Sequence, residues 1–242
     1  MGNVWVVGST GALGKAVCDV FAVNGNVIGF SRRRAAAPHV TVDLAIESQT
    51  REAFAEAFVR NPPSIVIFCH RFRPAPGIHL SDFDCLKAAL DIELRPISIF
   101  REIVLSRPTN RVSIFVISST AGSLSCQADI PIWYQQVKSL LTSTVKLFAM
   151  MDRLGGVRWG AVLLGEILKT NLEKYSLEIQ DSFNRFSVAT FGGQIATADE
   201  IARFLLDLSS DSFREVGGRV FTYDRGVSLF ASESLLRTPP SR

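Results

Sequence analysis

The stretch Asn3-Val-Trp-Val-Val-Gly8-Ser-Thr-Gly11-Ala-Leu-Gly14 decides the fold of this chain. Its first five residues form an apolar run of strand length, and the glycines follow at once. From Lys15 to Val23, apolar residues then recur at helical spacing. A strand, a Gly-rich turn and a helix in this order let the backbone approach a pyrophosphate, because the helix N-terminus offers free N–H groups and a partial positive charge. The stretch therefore predicts a dinucleotide site formed by Gly8, Ser9, Thr10, Gly11, Ala12, Leu13 and Gly14.

Strand patterns and helix patterns alternate along the rest of the chain. The patterns predict strands near residues 3–8, 26–31, 64–69, 111–118, 157–164 and 218–223, and helices near 12–24, 47–60, 82–105, 132–151 and 197–208. Such alternation gives a doubly wound parallel sheet with helices on both faces. The 242 residues suffice for one large core, so we predict a single α/β domain of the Rossmann type over residues 1–242.

The composition excludes several other classes of protein. A net charge of +3 gives no indication of nucleic-acid binding. The longest apolar runs are far shorter than a membrane span, and the N-terminus carries no secretory leader pattern. The four cysteines and three histidines show no metal-binding or redox spacing. We expect a cytoplasmic protein with reduced thiols and no metal, which binds a small-molecule substrate and neither nucleic acid nor a membrane.

Tyr134 and Lys138 are four residues apart, which places both on one face of a helix. A free tyrosine has a pKa of about 10 and exchanges protons poorly near neutrality. A cation one turn away stabilises a phenolate and makes general acid–base chemistry possible. Ser119 ends an apolar run upstream. Its hydroxyl could hold a carbonyl or alcohol oxygen against the phenol.

These motifs together resemble the short-chain dehydrogenase/reductase family over nearly the full length of the chain. They come in the family's order: the Gly-rich turn, Val42-Asp43-Leu44, Ile117-Ser118-Ser119-Thr-Ala-Gly122, Tyr134 with Lys138, residues 157–165 leading into Thr170, and finally residues 217–224. The segment Gly11-Ala-Leu-Gly14 is also similar to the turn of dihydropteridine reductase. The resemblance implies that Ser119, Tyr134 and Lys138 are catalytic, and that Lys138 also binds the nicotinamide ribose.

The coenzyme is expected to be NADP(H). The second predicted strand ends in Ser31-Arg32-Arg33, where an NAD site would need a carboxylate for the ribose hydroxyl. Guanidinium groups suit the 2′-phosphate of NADP instead, although a solvated basic loop would have the same sequence. The resemblance implies further coenzyme contacts. One of these residues, Asp43, could alternatively be a helix cap. These contacts are Asp43, Leu44, Cys69, His70, Gly165 and Ile167, in addition to Tyr134 and Lys138.

The chain departs from the family in three places. Cys69-His70-Arg71 stands where the family carries Asn-Asn-Ala-Gly, so the loop should crowd the nicotinamide ribose or be remodelled. Glu93 aligns with the family's helix asparagine, and a carboxylate can accept from an ammonium but cannot donate as an amide does. The gap from Ser119 to Tyr134 is slightly long, which leaves Ser118 as an alternative to Ser119.

Residues 166–197 correspond to the family's substrate lid. The segment is rich in apolar and aromatic residues, and this favours a bulky apolar substrate. Phe191-Gly-Gly193 could be its hinge, and Trp133 could form another wall of the pocket. The predicted helices 82–105 and 132–151 are apolar on more than one face. The resemblance implies that these helices pair with symmetry mates in a homodimer or homotetramer.

We therefore predict an NADP(H)-dependent oxidoreductase that reduces a carbonyl group or oxidises the corresponding alcohol. Two alternatives stay open. The altered loop and Glu93 favour a non-redox cyclase or isomerase that binds NADP on the same fold. A catalytically silent NADP-binding regulator is the other, although the presence of Ser119, Tyr134 and Lys138 argues against it.

Overall fold

A computed structural model describes residues 2–35, 38–75, 80–107, 111–123, 130–152, 155–168, 192–210 and 218–225, with isolated positions 180, 181, 184, 187 and 190. The strands are β1 (Asn3–Val7), β2 (Asn26–Ser31), β3 (His39–Thr41), β4 (Ile65–Phe68), β5 (Val112–Ser119), β6 (Val157–Leu164) and β7 (Val220–Tyr223). They form one seven-stranded sheet in the order β3-β2-β1-β4-β5-β6-β7. Every pair of neighbours is parallel. The crossover from β3 and β2 to β4 occurs beside β1, where doubly wound sheets bind their ligands.

The helices lie between the strands and cover both faces of the sheet. Their bounds are α1 (Ala12–Ala22), α2 (Glu47–Arg60), α3 (Asp82–Ala89), α4 (Arg95–Leu105), α5 (Ile132–Met151) and α6 (Ala198–Leu208). A capping box fixes the start of α6: the Thr197 hydroxyl accepts from the Glu200 N–H at 3.2 Å, and the Glu200 carboxylate accepts from the Thr197 N–H at 2.8 Å.

Two layers of apolar side chains hold the helices to the sheet. On one face, Trp5 packs with Phe30, Phe54 and Phe100, whose ring centroids lie 4.9–6.1 Å from its own. Side chains from α2, α4 and α5 belong to this layer. On the other face, α1 and α6 bury side chains such as Val17 against the sheet. The prediction of a parallel α/β sheet with helices on both faces is confirmed.

Helix 82–105 was predicted as continuous, but the structure divides it. A π-helical segment, Leu90–Leu94, separates α3 from α4. Pro96 follows this segment and has no N–H to offer to the Ile92 carbonyl, so the regular ladder cannot pass through it. Instead the Arg95 N–H bonds to the Leu90 carbonyl. Such single π turns are frequent at functional sites.

The short strand β3 was missed in the sequence. It has only three residues, too few for an alternation pattern to be recognised. It pairs with Gly29–Ser31 at the end of β2 and so adds an edge strand beside the predicted adenosine side of the site. Within the described parts of the chain, every helix is too short or too polar to cross a membrane.

Candidate active site

Parallel strands bring the predicted site residues to one edge of the sheet. Gly8 follows β1, Ser31 ends β2, Cys69 follows β4, Ser119 ends β5 and Gly165 follows β6. All of these positions are carboxyl ends of strands, where α/β sheets bind ligands.

The Gly-rich turn is shaped by a close approach between two loops. Gly8 has a φ of +91°, and a side-chain Cβ there would lie 2.6 Å from the His70 nitrogen. Only glycine fits this position without displacing the backbone. Thr10 and Gly11 are exposed at the start of α1, and the Ser9 Oγ is buried without a hydrogen-bond partner among the described residues.

The end of β2 carries the residues predicted to choose the coenzyme. Arg32 and Arg33 are exposed. The Ser31 hydroxyl lies 2.7 Å from the Arg33 carbonyl and 2.9 Å from the His39 Nε2. Because the hydroxyl has a single proton, which it donates to Arg33, the His39 Nε2 is the donor in the second contact. Ser31 therefore orders the turn that presents the two arginines.

Asp43 and Leu44, which follow β3, have different surroundings. The Asp43 Oδ1 accepts from the Ala45 N–H at 3.1 Å, which is a turn-forming contact. The alternative of a helix cap does not hold for α2, because the N-cap of that helix is Ile46. Leu44 is buried in the apolar layer, so only its backbone could face a coenzyme.

Tyr134 and Lys138 lie one turn apart on α5, as the spacing predicts. The Lys138 Nζ is 5.3 Å from the centroid of the Tyr134 ring. Trp133 stands at right angles to Tyr134, with ring centroids 5.8 Å apart, and also packs on Phe72. Tyr134 itself is half-buried, so its ring packs on aromatic neighbours while part of it stays accessible to solvent.

Glu93 forms an ion pair with Lys138. Its Oε2 lies 2.5 Å from the Lys138 Nζ, and the two side chains are only 1% and 4% exposed. The other carboxylate oxygen, Oε1, accepts from the Phe72 N–H at 2.9 Å. The carboxylate thus joins the π segment, the loop after β4 and α5. One proton of the ammonium points at Glu93, and an ammonium has two more to offer.

The end of β5 packs closely on α5. A Cβ at Gly122 would lie 2.4 Å from the Ser139 nitrogen, so the turn Thr120–Gly122 can approach the helix only with glycine there. The Ser118 hydroxyl is buried and donates to the Lys138 carbonyl at 3.0 Å, while it accepts from Thr142 at 3.0 Å. The Ser119 Oγ accepts from the Ala121 N–H at 3.2 Å and keeps its own proton to donate. This arrangement favours Ser119 over Ser118 as the residue that contacts a substrate.

The loop after β4 is remodelled around α5. Phe72 is buried against Trp133, and the Arg71 guanidinium lies over the Tyr134 ring at 6.0 Å. Both ring nitrogens of His70 are buried and lack a hydrogen-bond partner among the described residues. Burial, and then the charge of Lys138, lower the pKa of His70 to about 4. The nearby Glu93 and Ile92 backbone opposes this with a smaller effect, although neither group meets hydrogen-bond geometry with the ring. Beside it, burial raises the pKa of the Cys69 thiol.

The two ends of the predicted lid are held together. Ile167 forms a parallel bridge with Ala196, and the Leu168 N–H donates to the Ala196 carbonyl at 2.8 Å. Gly192 and Gly193 have φ angles of +80° and +67°. Most of residues 169–191, including Thr170 and Phe191, lie outside the described residues.

A family model described as enoyl-(acyl carrier protein) reductase matches residues 29–228. The chain belongs to the short-chain dehydrogenase/reductase superfamily. This confirms the resemblance seen in the motifs, and it makes the chain a member of an oxidoreductase family that uses nicotinamide coenzymes. Comparison with curated protein sequences gives no match.

Solved structures share the fold over nearly the whole chain. A short chain dehydrogenase family protein from Francisella tularensis is 18% identical, with a TM-score of 0.80, over 95% of this chain and 99% of its own. Aldohexose dehydrogenase from Thermoplasma acidophilum is 18% identical, with a TM-score of 0.81, over 100% and 96%. A ribose-5-phosphate isomerase from Brucella melitensis is 21% identical, with a TM-score of 0.80, over 98% and 97%. At these identities the likeness shows the fold alone.

Two features of the site were not predicted from the sequence. Phe72 had no assigned role, yet its N–H binds Glu93 and its ring packs on Trp133. The π segment that carries Glu93 was also missed. Pro96 was the available signal, since a proline inside a helical pattern marks a break. Among the described residues, no three His, Cys, Asp or Glu side chains gather as metal ligands would.

The buried imidazole of His70 makes a prediction about acid stability. Because the pKa of His70 is lowered to about 4 from an ordinary value of 6.5, the unfolded chain binds a proton there between these pH values and the folded protein does not. Stability should therefore fall as the pH drops from about 6.5 to 4. We expect His70→Gln to lose less of its melting temperature than the unmodified protein between pH 7 and pH 5. The melting temperatures of both proteins can be measured by calorimetry at pH 7 and pH 5. If the melting temperature falls equally in both, His70 takes up its proton without unfolding of the protein.

Proposed function

We propose that the protein is an NADP(H)-dependent reductase that converts a bulky, apolar carbonyl compound to an alcohol, or catalyses the reverse oxidation. The observation that carries this proposal is the nearly solvent-free Lys138 ammonium 5.3 Å from the Tyr134 ring, at the sheet edge that also holds the Gly-rich turn. A fixed cation beside a phenol is the arrangement that general acid–base catalysis by tyrosine needs.

The residues at this edge fit a nicotinamide coenzyme. The N-terminus of α1 presents exposed backbone at Thr10 and Gly11 to a pyrophosphate. The Ser9 Oγ and the ring nitrogens of His70 are buried without partners among the described residues, and buried polar atoms of this kind call for a polar ligand. Arg32 and Arg33 would hold the 2′-phosphate. When bound, the nicotinamide supplies hydride to the substrate carbon.

The three proposed catalytic residues, Ser119, Tyr134 and Lys138, have different roles. Ser119 donates a hydrogen bond that holds the carbonyl oxygen in place. Tyr134 gives its phenolic proton to that oxygen as negative charge develops on it. Lys138 stabilises the resulting phenolate through its charge, and its two protons not directed at Glu93 would be available to hold the nicotinamide ribose. In the oxidative direction the same groups act in reverse.

Aromatic side chains support an apolar substrate. Phe72 and Trp133 form a buried pair beside Tyr134. The sequence of residues 166–197 is also rich in apolar and aromatic residues. Pockets with such walls bind bulky apolar molecules, while a few polar groups set their orientation. The reacting carbonyl would be the polar end of the substrate, directed at Ser119 and Tyr134.

Removing the phenolic proton tests the mechanism. Tyr134→Phe keeps the ring and its packing, so we expect NADPH binding to persist while carbonyl reduction falls at least about 100-fold, as is typical for loss of a general acid. Tyr223→Phe, on β7, is the matched control and should retain full activity. Steady-state rates across a panel of carbonyl substrates would check this. Unchanged turnover by Tyr134→Phe would reject the reductase and favour a non-redox reaction on NADP.

The coenzyme preference is tested at the end of β2. A charge-assisted contact to phosphate contributes about 1.5–3 kcal/mol, so NADPH should bind roughly ten- to a hundred-fold more tightly than NADH. Arg32→Ala/Arg33→Ala should remove this preference by weakening NADPH alone. Arg60→Ala, which loses an exposed contact to Glu56 in α2, is the control. Calorimetric titrations that give equal affinities for the two coenzymes in the unmodified protein would show that the arginines form only a solvated turn.

We also propose that the protein forms a homodimer or homotetramer through α5. Apolar side chains remain exposed on this helix after it has packed on the sheet, among them Met150 and Met151 at 72% and 67% exposure. A monomer leaves such side chains in water, whereas a symmetric interface would bury them. Light scattering at micromolar concentration should give at least twice the chain mass, and Leu147→Glu/Met151→Glu should lower it to that of one chain. A monomeric unmodified protein would contradict this proposal.

A further inference from the structure

The contact between Glu93 and Lys138 joins two charges in the interior of the protein. The 2.5 Å separation and the near-absence of solvent make this a buried ion pair, which differs in kind from the exposed pair of Arg51 and Glu102. Both carboxylate oxygens of Glu93 accept hydrogen bonds, one from the Lys138 ammonium and one from the Phe72 N–H. Both oxygens thus act as hydrogen-bond acceptors, which is the pattern of a carboxylate paired with an ammonium.

This carboxylate changes the electrostatic effect of the Lys138 ammonium on Tyr134. A lone ammonium near the ring would attract a phenolate strongly, because there is little water between them to screen the charge. With Glu93 in contact, the phenol faces a pair of opposite charges whose effects partly cancel. The Lys138 Nζ lies 5.3 Å from the centroid of the Tyr134 ring, so part of its stabilising effect on a phenolate should remain.

Other titratable groups around the pair do not replace this effect. From the loop after β4, His70 is neutral near pH 7, because burial and the Lys138 charge lower its pKa to about 4. From the same loop, the exposed Arg71 guanidinium lies 6.0 Å from the Tyr134 ring and adds positive charge. Asp91, near Glu93 in the π segment, is paired with Arg95. Glu93 is thus the acidic group in direct contact with the catalytic lysine.

We propose that Glu93 is a positioning residue that fixes the Lys138 ammonium and partly cancels its charge, so that Tyr134 keeps its proton to a higher pH than Lys138 alone would permit. The protonated phenol is the form that reduction consumes, so the ion pair extends to higher pH the range in which the site can reduce a carbonyl. The consequence for catalysis rests on the proposed function, in which Tyr134 is the general acid. The effect of Glu93 on the ionisation of Tyr134 does not depend on any reaction.

Ionisation of Tyr134 can be measured without substrate or coenzyme. Tyrosinate absorbs ultraviolet light at a longer wavelength than neutral tyrosine, so its formation can be followed as the pH is raised. The chain has three tyrosines, and subtracting the titration of a Tyr134→Phe variant isolates the signal of Tyr134. Glu93→Gln keeps the shape of the side chain and removes its charge. Its tyrosinate midpoint should fall by about one pH unit, the effect expected when an opposite charge acts uncancelled. Glu102→Gln, which breaks the exposed pair with Arg51, should leave the midpoint unchanged.

A second variant keeps the test informative if Glu93→Gln does not fold. Glu93→Gln/Lys138→Met removes both charges and leaves no buried ion unpaired, a replacement that proteins usually tolerate. Its tyrosinate midpoint should rise by less than about one pH unit, since the pair it removes stabilised the phenolate only in part. A midpoint more than one unit higher would mean that Lys138 acts uncancelled. That result, or an unshifted midpoint in a folded Glu93→Gln, would overturn the inference.

The pH dependence of activity separates this inference from the proposed function. If the protein is a reductase, the pH midpoint of alcohol oxidation by Glu93→Gln should fall in parallel with the tyrosinate midpoint. If no carbonyl or alcohol substrate is turned over but the tyrosinate midpoints shift as described, the proposed function fails and the role of Glu93 stands. If turnover follows the predicted Tyr134 dependence but the midpoints do not move, the role of Glu93 fails and the proposed function stands.

Discussion

The ion pair between Glu93 and Lys138 constrains this site because each of the two buried charges stabilises the other. Breaking a buried pair by removing one partner typically costs about 3–5 kcal/mol, since an uncompensated charge is left behind. The carboxylate also holds the Phe72 N–H, so the same contact fixes the loop after β4. Three separate parts of the chain, the π segment, this loop and α5, therefore meet at one carboxylate. The position of Lys138 beside Tyr134 depends on that meeting.

Local backbone features make the ion pair possible. Pro96 interrupts the helical ladder, and the π segment that precedes it carries Glu93 into the interior. On the opposite side, Gly122 lets the end of β5 approach α5 at Lys138 and Ser139, which sets Ser119 beside the same helix. The parallel sheet supplies the rest of the geometry, because it brings the Gly-rich turn and the end of β2 to the same edge. Catalytic and coenzyme residues that are distant in sequence thus share one surface.

The sequence was sufficient to predict the sheet, its helices and the positions of Ser119, Tyr134 and Lys138 in the fold. Apolar periodicity gave β2, β6, α2 and α5 with the observed bounds, since long regular patterns report directly on burial. It could not give β3, which is too short to show a pattern, or the π segment, whose hydrogen bonds depend on the absent N–H of Pro96. The contact of Glu93 with Lys138 spans 45 residues. A charge pair of that separation leaves no periodic signal in either helix.

The remodelled loop shows why the departures from the family pattern matter. His70 and Arg71 were expected to crowd the coenzyme or to shift the loop, and Phe72 was not expected to contribute. The structure turns Phe72 inward against Trp133 and leaves Arg71 over the Tyr134 ring. The imidazole of His70 stays buried near the Gly-rich turn with unpaired ring nitrogens. At this edge of the site, the loop after β4 therefore differs from the family motif in its polar groups and in its packing.

A crystal structure of the complex with NADPH would show whether Lys138 can contact Glu93 and the coenzyme at the same time. We expect the nicotinamide ribose hydroxyls to lie within hydrogen-bond distance of the Lys138 Nζ while that nitrogen keeps its contact with Glu93. We also expect the nicotinamide to face Tyr134 and Ser119. Arg32 and Arg33 should contact the 2′-phosphate. A complex in which Lys138 leaves Glu93 to bind the ribose, or in which the nicotinamide lies away from Tyr134, would contradict these expectations.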